Sequence, residues 1–388
     1  LTPDRRIILA LFSIAFGVRI LYAVLIASQP DIVVDPITYE FVKGREIAEG
    51  ANWWSEPFSP SAPGYLLMLG ALFSIAGVHP WLAIIVQSFF GGVIAFMLFR
   101  IGEKKIGRWV GLASAIWFAV YVHQAHYTSI LTRDVTAGTL VVLVCYLLIR
   151  YSYSMRGALW TALAYAVLLH VDPQYLLFLP VLVLYYLLAA GRHQLIRLQY
   201  TFVFLSMVVL LLTPWTVRDY HVYGEPIPIA LEATRYLPPF QSGLEAHEDV
   251  AVNNGSRPGF WRNTIEYWRV TRLTEGQQTT PDGDQRILTP WSLRHNLVSL
   301  ATYGLLLPFF LAGIWFSVKT RNRAGLVLVV AVVGMYLIRA FYGGSPRTRL
   351  PAEPLLILLA FYAAVHLFEK LRGSRAPGEA AAGKVGRP

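Results

Sequence analysis

The sequence predicts an all-α polytopic membrane protein, and three observations carry that prediction. Of its 388 residues, 55% are hydrophobic and only 14% are charged, a balance outside the soluble globular range. Apolar runs of about 20 residues recur along the chain, the length a helix needs to cross a bilayer. Basic clusters punctuate the runs: Arg5-Arg6 with Arg100/Lys104/Lys105/Arg108, then Arg150/Arg156, Arg192/Arg197, Lys319/Arg321/Arg323 and Lys370/Arg372/Arg375. Lys and Arg near span ends mark the cytoplasmic side, so the favoured topology puts every cluster inside. A soluble enzyme is excluded. The net charge of +10 sits mainly in these short loops and in the tail after Leu371, so orientation in a membrane accounts for it and no nucleic-acid partner is expected. With Cys145 as the single cysteine, neither an intrachain disulfide nor a Cys-based metal site is available.

In chain order, the apolar periodicity predicts about ten transmembrane helices, at roughly 7–27, 81–101, 109–128, 134–150, 157–171, 173–190, 198–216, 297–318, 324–342 and 351–370. The run from Ile7 to Ala27 follows two arginines and is too long for a signal-peptide core, so it reads as a retained span with its amino end inside. The apolar segment Gly64 to Val78 is short for a crossing, and counting it as one would flip every later basic loop. It is therefore expected as a re-entrant or interfacial element on the outer side. The division that follows is a transmembrane module over 1–216 that includes an outer loop at 28–80, an extracytoplasmic region at 217–296, carboxy-terminal helices at 297–372 and a disordered cytoplasmic tail at 373–388.

The outer loop has its own signals. Asp35-Pro36 followed by Gly50 reads as the N-cap, first position and stop of a short juxtamembrane helix. Its apolar residues Ile37, Phe41, Val42 and Ile47 would lie against the membrane surface.

With the basic clusters inside, Asp35, Asp134, Asp172, Arg218-Asp219 and Arg347/Arg349 all fall at the opposite mouth of the bundle. Asp35 is suited to act as a general base towards a hydroxyl, and equally to cap the helix that Pro36 begins. An acid next to lipid, as Asp134 would be, is costly unless it has a functional site, a local ion pair or a cap role. Asp172-Pro173 reads as a tight turn. Arg218, Arg347 and Arg349 stand outside against the charge trend. Guanidinium groups there suit phosphate recognition; the plainer reading is snorkelling or pairing with Asp219 and Glu353. Lys43 is the only lysine placed outside, as a phosphate ligand or a solvated side chain. Arg19, inside the first span, must snorkel or meet a buried partner. His123, His126, His170 and His221, with Asp134, are ligand types for a divalent metal, but no spacing here matches a ligand signature, so neither a metal nor another cofactor follows from the sequence.

Several stretches also resemble a known family. Asp35-x3-Tyr39, Ile47-Ala48-Glu49-Gly50 and Ser61-Ala62-Pro63-Gly64-Tyr65 are similar to the first outer loop of the polyprenyl-phosphate-dependent membrane glycosyltransferases with the GT-C fold. Within these they most resemble the family 39 group of protein O-mannosyltransferases and the aminoarabinose transferase of lipid A. Pro214-Trp215-Thr216-Val217-Arg218-Asp219-Tyr220 looks like that group's Pro-Trp-x-x-Arg-Asn-Tyr stretch, and Arg347-Thr348-Arg349-Leu350-Pro351 is similar to its late Arg-x-Arg-x-Pro element. Asp219 stands where Asn is usual, and Asp172-Pro173 where Arg-Pro is expected. The resemblance implies a GT-C-like bundle in a bacterial or archaeal plasma membrane with an extracytoplasmic active site. Its partners would be a polyprenyl-phosphate sugar donor, an acceptor glycan, lipid or protein, and membrane lipids. By position Asp35 and Asp134 match the family's two acids, Arg218, Arg347, Arg349 and Lys43 are the donor-phosphate candidates, and Tyr39, Tyr65 and Trp215 are the substrate-pocket aromatics.

The implied reaction is direct attack of an acceptor hydroxyl on the anomeric carbon, with inversion. A transporter or flippase of a lipid-linked saccharide is the rival, but it usually carries repeated halves and broken helices near the midplane, which this sequence lacks. A non-catalytic scaffold is the third reading. The topology itself is testable with cysteines introduced singly into a chain whose Cys145 is replaced. Residue 104 should label with a membrane-impermeant thiol reagent from the side opposite to residues 35 and 347; labelling of 104 and 35 from one side would make residues 64–78 a full span.

Overall fold

The computed structural model describes residues 3–27, 39–55, 62–151, 154–188, 193–224, 226–227, 229, 260–271, 276–279, 285–288, 292–342 and 347–374. These residues form a helical bundle with one small antiparallel ladder. Six helical segments are long and apolar enough to cross a membrane: Asp4–Ala27, Pro80–Ile106, Gln194–Tyr223, Leu293–Lys319, Arg323–Phe341 and Glu353–Arg372. The other predicted spans are helical but shorter or interrupted. Large apolar side chains such as Leu21, Phe202, Leu210 and Trp315 project outwards, which suits a lipid surround rather than water.

Helix α1 (Pro3–Ala27) buries one stripe, Leu11, Ala15, Arg19, Ala23 and Ile26, at helical spacing. The stripe packs on α4 (Pro80–Ile101), which runs on as a π turn over Gly102–Ile106. The predicted span 109–128 is broken into α5 (Arg108–Ala119) and α6 (Val122–Thr128). A break at membrane depth leaves carbonyls without partners, and Arg19 supplies them from another helix. Its guanidinium donates to Ala119 O at 3.4 Å and Phe118 O at 3.3 Å, as well as to Ala15 O at 2.8 Å, and lies 4.5 Å from the Phe118 ring centre. Gly91 makes the room, since a Cβ there would stand 2.2 Å from Arg19 Nε. The buried partner that Arg19 requires is thus the C-terminal turn of α5.

Helix α7 (Arg133–Arg150) and α8 (Met155–Val171) follow, and with α4 and α15 (Glu353–Ser374) they enclose the core. Leu98, Phe99, Val142, Ala162, Leu169, Leu355 and Leu359 are fully buried there. The next predicted span begins as a 3₁₀ turn over Pro173–Phe178 before α9 (Leu179–Leu187). Asp172 caps that turn, accepting from Gln174 N, and is also 3.7 Å from Arg339. α10 (Gln194–Tyr223) runs past residue 216, where the sequence suggested the outer region begins, and stops at Gly224 in the left-handed conformation at φ 77°. Beyond it come α11 (Phe260–Trp268) and strands β1 (Gly276–Thr279) and β2 (Gln285–Leu288), paired antiparallel from Gly276↔Leu288 to Thr279↔Gln285. α12 (Leu293–Ser299) passes through a π turn into α13 (Leu305–Lys319), and α14 (Arg323–Tyr342) precedes the 3₁₀ turn Arg347–Arg349 and α15.

In the outer loop, α2 (Tyr39–Ala48) packs its apolar face on α3 (Pro63–Ala76), a protein contact in place of the membrane surface expected for Phe41 and Ile47. Phe41 meets Phe73 edge-on at 5.4 Å. The helices approach through glycine: a Cβ on Gly44 would come within 2.6 Å of Leu69 Cβ, and one on Gly70 within 2.4 Å of Ile47 Cγ2. α3, at 14 residues, is short for a crossing, as expected of a re-entrant element. Gly70→Val should force the pair apart at a cost of about 1–3 kcal/mol, the usual range for overpacking. Hydrogen exchange across residues 39–48 should then accelerate; unchanged protection would mean that α2 is held from elsewhere.

Candidate active site

One end of the bundle gathers charged groups from segments far apart in sequence. Asp134 lies in the first turn of α7, where helix-end N–H groups favour a carboxylate. Although Asp134 is buried, its Oδ2 accepts from Arg347 Nε at 2.7 Å. Arg347 is different, with 47% of its side chain exposed. Burial works against its charge, but Asp134, with Glu40 and Tyr127 close enough to act electrostatically, more than offsets this and raises its pKa above the ordinary arginine value. Glu40, in the first turn of α2, thereby belongs to the same mouth, and the docking of α2 on α3 puts it there.

Arg349, two residues on, is only 2% exposed. Its Nε donates to Glu353 Oε1 at 3.1 Å, Nη1 donates to the carbonyls of Tyr267 at 2.8 Å and Arg269 at 3.2 Å, and its guanidinium lies 3.5 Å from the Tyr303 ring centre. Glu353 also meets His123 Nδ1 at 2.8 Å and accepts from Gln124 Nε2 at 3.1 Å. The same Gln124 nitrogen donates to Leu350 O at 2.8 Å. A lone buried carboxylate or guanidinium would be strongly unfavourable, and this many partners is what makes the pair tolerable.

Arg218 anchors a third group. It is buried, with Nη1 donating to Asp219 Oδ1 at 2.6 Å, Nε to Trp54 O at 3.1 Å and Nη2 to Trp53 O at 3.0 Å. Trp53 stacks on Trp215 at 6.1 Å with ring planes 9° apart. The end of α10 therefore clamps the outer-loop segment that follows α2. Among the described residues, buried Asp219 Oδ2 and Trp215 Nε1 have no hydrogen-bond partner.

The structure brings Asp134 and Arg347 together, with Glu40 as a neighbour that the sequence reading passed over. It gives Arg218 and Arg349 internal partners, Asp219 and Glu353 among them, in place of the open setting that phosphate binding suggested. Trp215 is half-buried against Trp53, and Tyr65, 1% exposed, donates to Gln87 Oε1 at 3.3 Å inside the bundle, so neither has the open face expected of a pocket aromatic. Tyr39 is exposed at the start of α2, and Lys43 pairs with Glu46 at 2.8 Å. Asp35 lies outside the described residues. Among the described residues no group of three His, Cys, Asp or Glu side chains is arranged to hold a metal ion. The polar Gln87 inside an apolar span was the sequence signal for its neighbourhood: its Nε2 donates to the carbonyls of Thr128 at 3.0 Å and Ile130 at 3.1 Å.

The two arginines of the Arg-x-Arg stretch should separate on replacement. Arg349→Met leaves Glu353 with His123 and Gln124 but without its guanidinium, so thermal unfolding in detergent should show a loss of about 3 kcal/mol, the low end for opening a buried pair. Arg347→Met, at a half-exposed and solvent-screened pair, should cost under about 1 kcal/mol. Equal losses would mean that the two pairs bear the fold alike.

A family description, dolichyl-phosphate-mannose-protein mannosyltransferase, matches residues 59–217. No curated protein sequence matches the chain. Among solved structures, ArnT from Cupriavidus metallidurans bound to undecaprenyl phosphate is similar with a TM-score of 0.61 at 14% identity, covering 92% of this chain and 59% of that one. The apo oligosaccharyltransferase of Archaeoglobus fulgidus is similar with a TM-score of 0.59 at 14% identity, covering 98% of this chain and 52% of that one. The archaeal oligosaccharyltransferase AglB of Archaeoglobus fulgidus, in complex with an inhibitory peptide and a dolichol-phosphate, gives a TM-score of 0.53 at 12% identity, with 100% and 53% coverage. The chain thus spans less than two thirds of the length of these neighbours. At such identities the likeness is one of fold, and with the match over residues 59–217 it makes this chain an integral membrane protein of the GT-C fold, similar to the mannosyltransferase family.

Proposed function

We propose that the protein is a glycosyltransferase that moves a sugar from a polyprenyl-phosphate donor to an acceptor hydroxyl at the extracytoplasmic face, with inversion. The observation that carries this reading is Arg347, a half-exposed guanidinium held through Nε by the buried Asp134 at the mouth of the fold. An arginine fixed at one nitrogen presents its remaining donors as a fork, the geometry that suits a phosphate. Support also comes from the shared fold, because ArnT and AglB were each solved with a polyprenyl phosphate bound.

In this mechanism Asp35 takes the proton of the acceptor hydroxyl as its oxygen attacks the anomeric carbon. The bond from that carbon to the phosphate oxygen breaks, and its electron pair leaves on the polyprenyl phosphate. Arg347 stabilises the charge that develops there. Asp134 positions Arg347 by accepting from its Nε. Arg218 and Arg349 brace the mouth from inside, and Lys43, which pairs with Glu46 on α2, is the further cation proposed for the donor phosphate. Phosphate is already a good leaving group, so no second carboxylic acid is required.

Mass spectrometry after incubating purified protein with a panel of polyprenyl-phosphate sugars and acceptors tests the reading directly, and absence of transfer across the panel would count against it. Asp35→Asn keeps any capping role, since Asn caps about as well as Asp, yet transfer should fall by roughly 10²–10⁴-fold with the general base lost. Arg347→Met should lower transition-state stabilisation by about 2–4 kcal/mol, and Arg347→Lys should recover only part. Near-parental transfer by Asp35→Asn would hand the base role to Asp134.

A further inference from the structure

We propose that the end of the bundle opposite the mouth holds a binding site for a membrane phospholipid with an anionic headgroup. Two adjoining features carry this. The first is a basic pocket of about 270 Å³ lined by Arg100, Lys104, Lys105 and Arg150, with Tyr146 and Tyr151 beside them. The second is an apolar groove of about 840 Å³ between α7, α9 and α14, whose lining includes Val144, Leu148, Leu182, Val327 and Val330, with Lys105 and Arg323 at its rim. Lys105 and Ile149 line both, so the two spaces adjoin.

The charges at this pocket are positioned rather than cancelled. Arg100 pairs with Glu103 at 2.8 Å, the one acid among its partners. Among the described residues Lys104, Lys105, Arg150 and Arg323 form no ion pair. Arg150 is held over the aromatic floor, its guanidinium 5.3 Å from the Tyr151 ring centre and 6.0 Å from that of Tyr146. Uncompensated Lys and Arg at the polar end of an apolar groove are complementary to a phosphate that carries acyl chains.

Depth and distance select the occupant. Along α14 the groove runs from Arg323 to Ala331, about 12 Å at helical rise, close to the depth of one leaflet of a hydrocarbon core about 30 Å thick. Along α7, Arg150 lies about 24 Å from Asp134 at the same rise. A lipid seated here would belong to the leaflet away from the proposed transfer site, which separates it from a donor whose phosphate must reach Arg347. The open side of the groove is apolar and exposed at Leu184, Leu188 and Val330, as lateral entry from a bilayer requires.

The test is lipid retention by the purified full chain in native mass spectrometry, comparing phosphatidylglycerol with phosphatidylcholine of the same acyl chains. Phosphatidylglycerol should bind more tightly, and the triple variant Lys104→Gln/Lys105→Gln/Arg150→Gln should lose affinity by about fivefold per charge, erasing the preference. These side chains are exposed or solvated, so the variant should fold. Val330→Trp, which fills the groove, should weaken both lipids while keeping the preference, and glycerol phosphate without chains should not compete. Equal retention of the two lipids, or an undiminished preference in the triple variant, would overturn the proposal. So would displacement of phosphatidylglycerol by equimolar undecaprenyl phosphate that is itself lost in the triple variant, since the pocket would then serve the donor. None of these outcomes depends on sugar transfer.

Discussion

The buried pair of Arg349 and Glu353 is the contact on which the geometry of the mouth depends. It lies at the start of α15, whose first turns sit in the centre of the core, and it reaches His123 and Gln124 on α6, the carbonyls of Tyr267 and Arg269 at the end of α11 and the Tyr303 ring. Four segments spread from residue 123 to residue 353 are thereby tied to one charge pair. Removing two charges from water costs several kcal/mol, repaid only when each remaining donor and acceptor finds a partner. The surrounding helices can therefore assemble in few ways. α11 is held in turn by α14, through Asn263 Nδ2 donating to Ala340 O at 3.0 Å and the Thr264–Tyr336 hydroxyl contact at 3.1 Å. Arg347 emerges from this framework already aimed at Asp134.

The two ends of the bundle obey different rules. At the mouth opposite charges meet, Asp134 with Arg347 across 213 residues, and Arg218 with Asp219 and Arg349 with Glu353 as close neighbours in sequence. At the other end like charges accumulate, with Arg108–Asp4 at 2.9 Å and Arg100–Glu103 at 2.8 Å as exceptions. Pairing at the mouth fixes geometry, whereas Lys104, Lys105, Arg150 and Arg323, without an ion pair among the described residues, keep their attraction for anions. A single helix, α7, links the two ends, with Asp134 in its first turn and Arg150 in its last.

Much of this was legible from composition and punctuation. Runs near 20 residues located the long helices, and the apolar segment from Gly64 to Val78 reads as too short to cross, close to the 14-residue helix α3. What escaped was decided by contacts without a sequence period. Nothing local marks the break between α5 and α6, because it is tolerated only through carbonyl bonds from Arg19 about a hundred residues earlier. Residue 216 looked like an end because the hydrophobic run stops at Pro214-Trp215, yet Arg218 and Asp219 neutralise each other and let α10 continue to Tyr223. Phe41 and Ile47 face α3 instead of lipid because two glycines, ordinary in sequence, allow contact between backbones. The partnership of Asp134 with Arg347 crosses 213 residues, and each could be read only as an isolated charge.

The Arg-x-Arg stretch shows why motif and geometry must be read together. As letters, Arg347 and Arg349 are equivalent, and both invite the role of phosphate ligand. They stand on a 3₁₀ turn, where successive residues are about 120° apart, so side chains two positions apart diverge by about 120°. One must turn inwards when the other faces the mouth. The inward one is fully committed at 2% exposure while the outward one keeps nearly half its surface. The spacing that makes the motif recognisable is thus also what divides its labour, with Arg349 securing the helices from inside and Arg347 exposed at the mouth against Asp134.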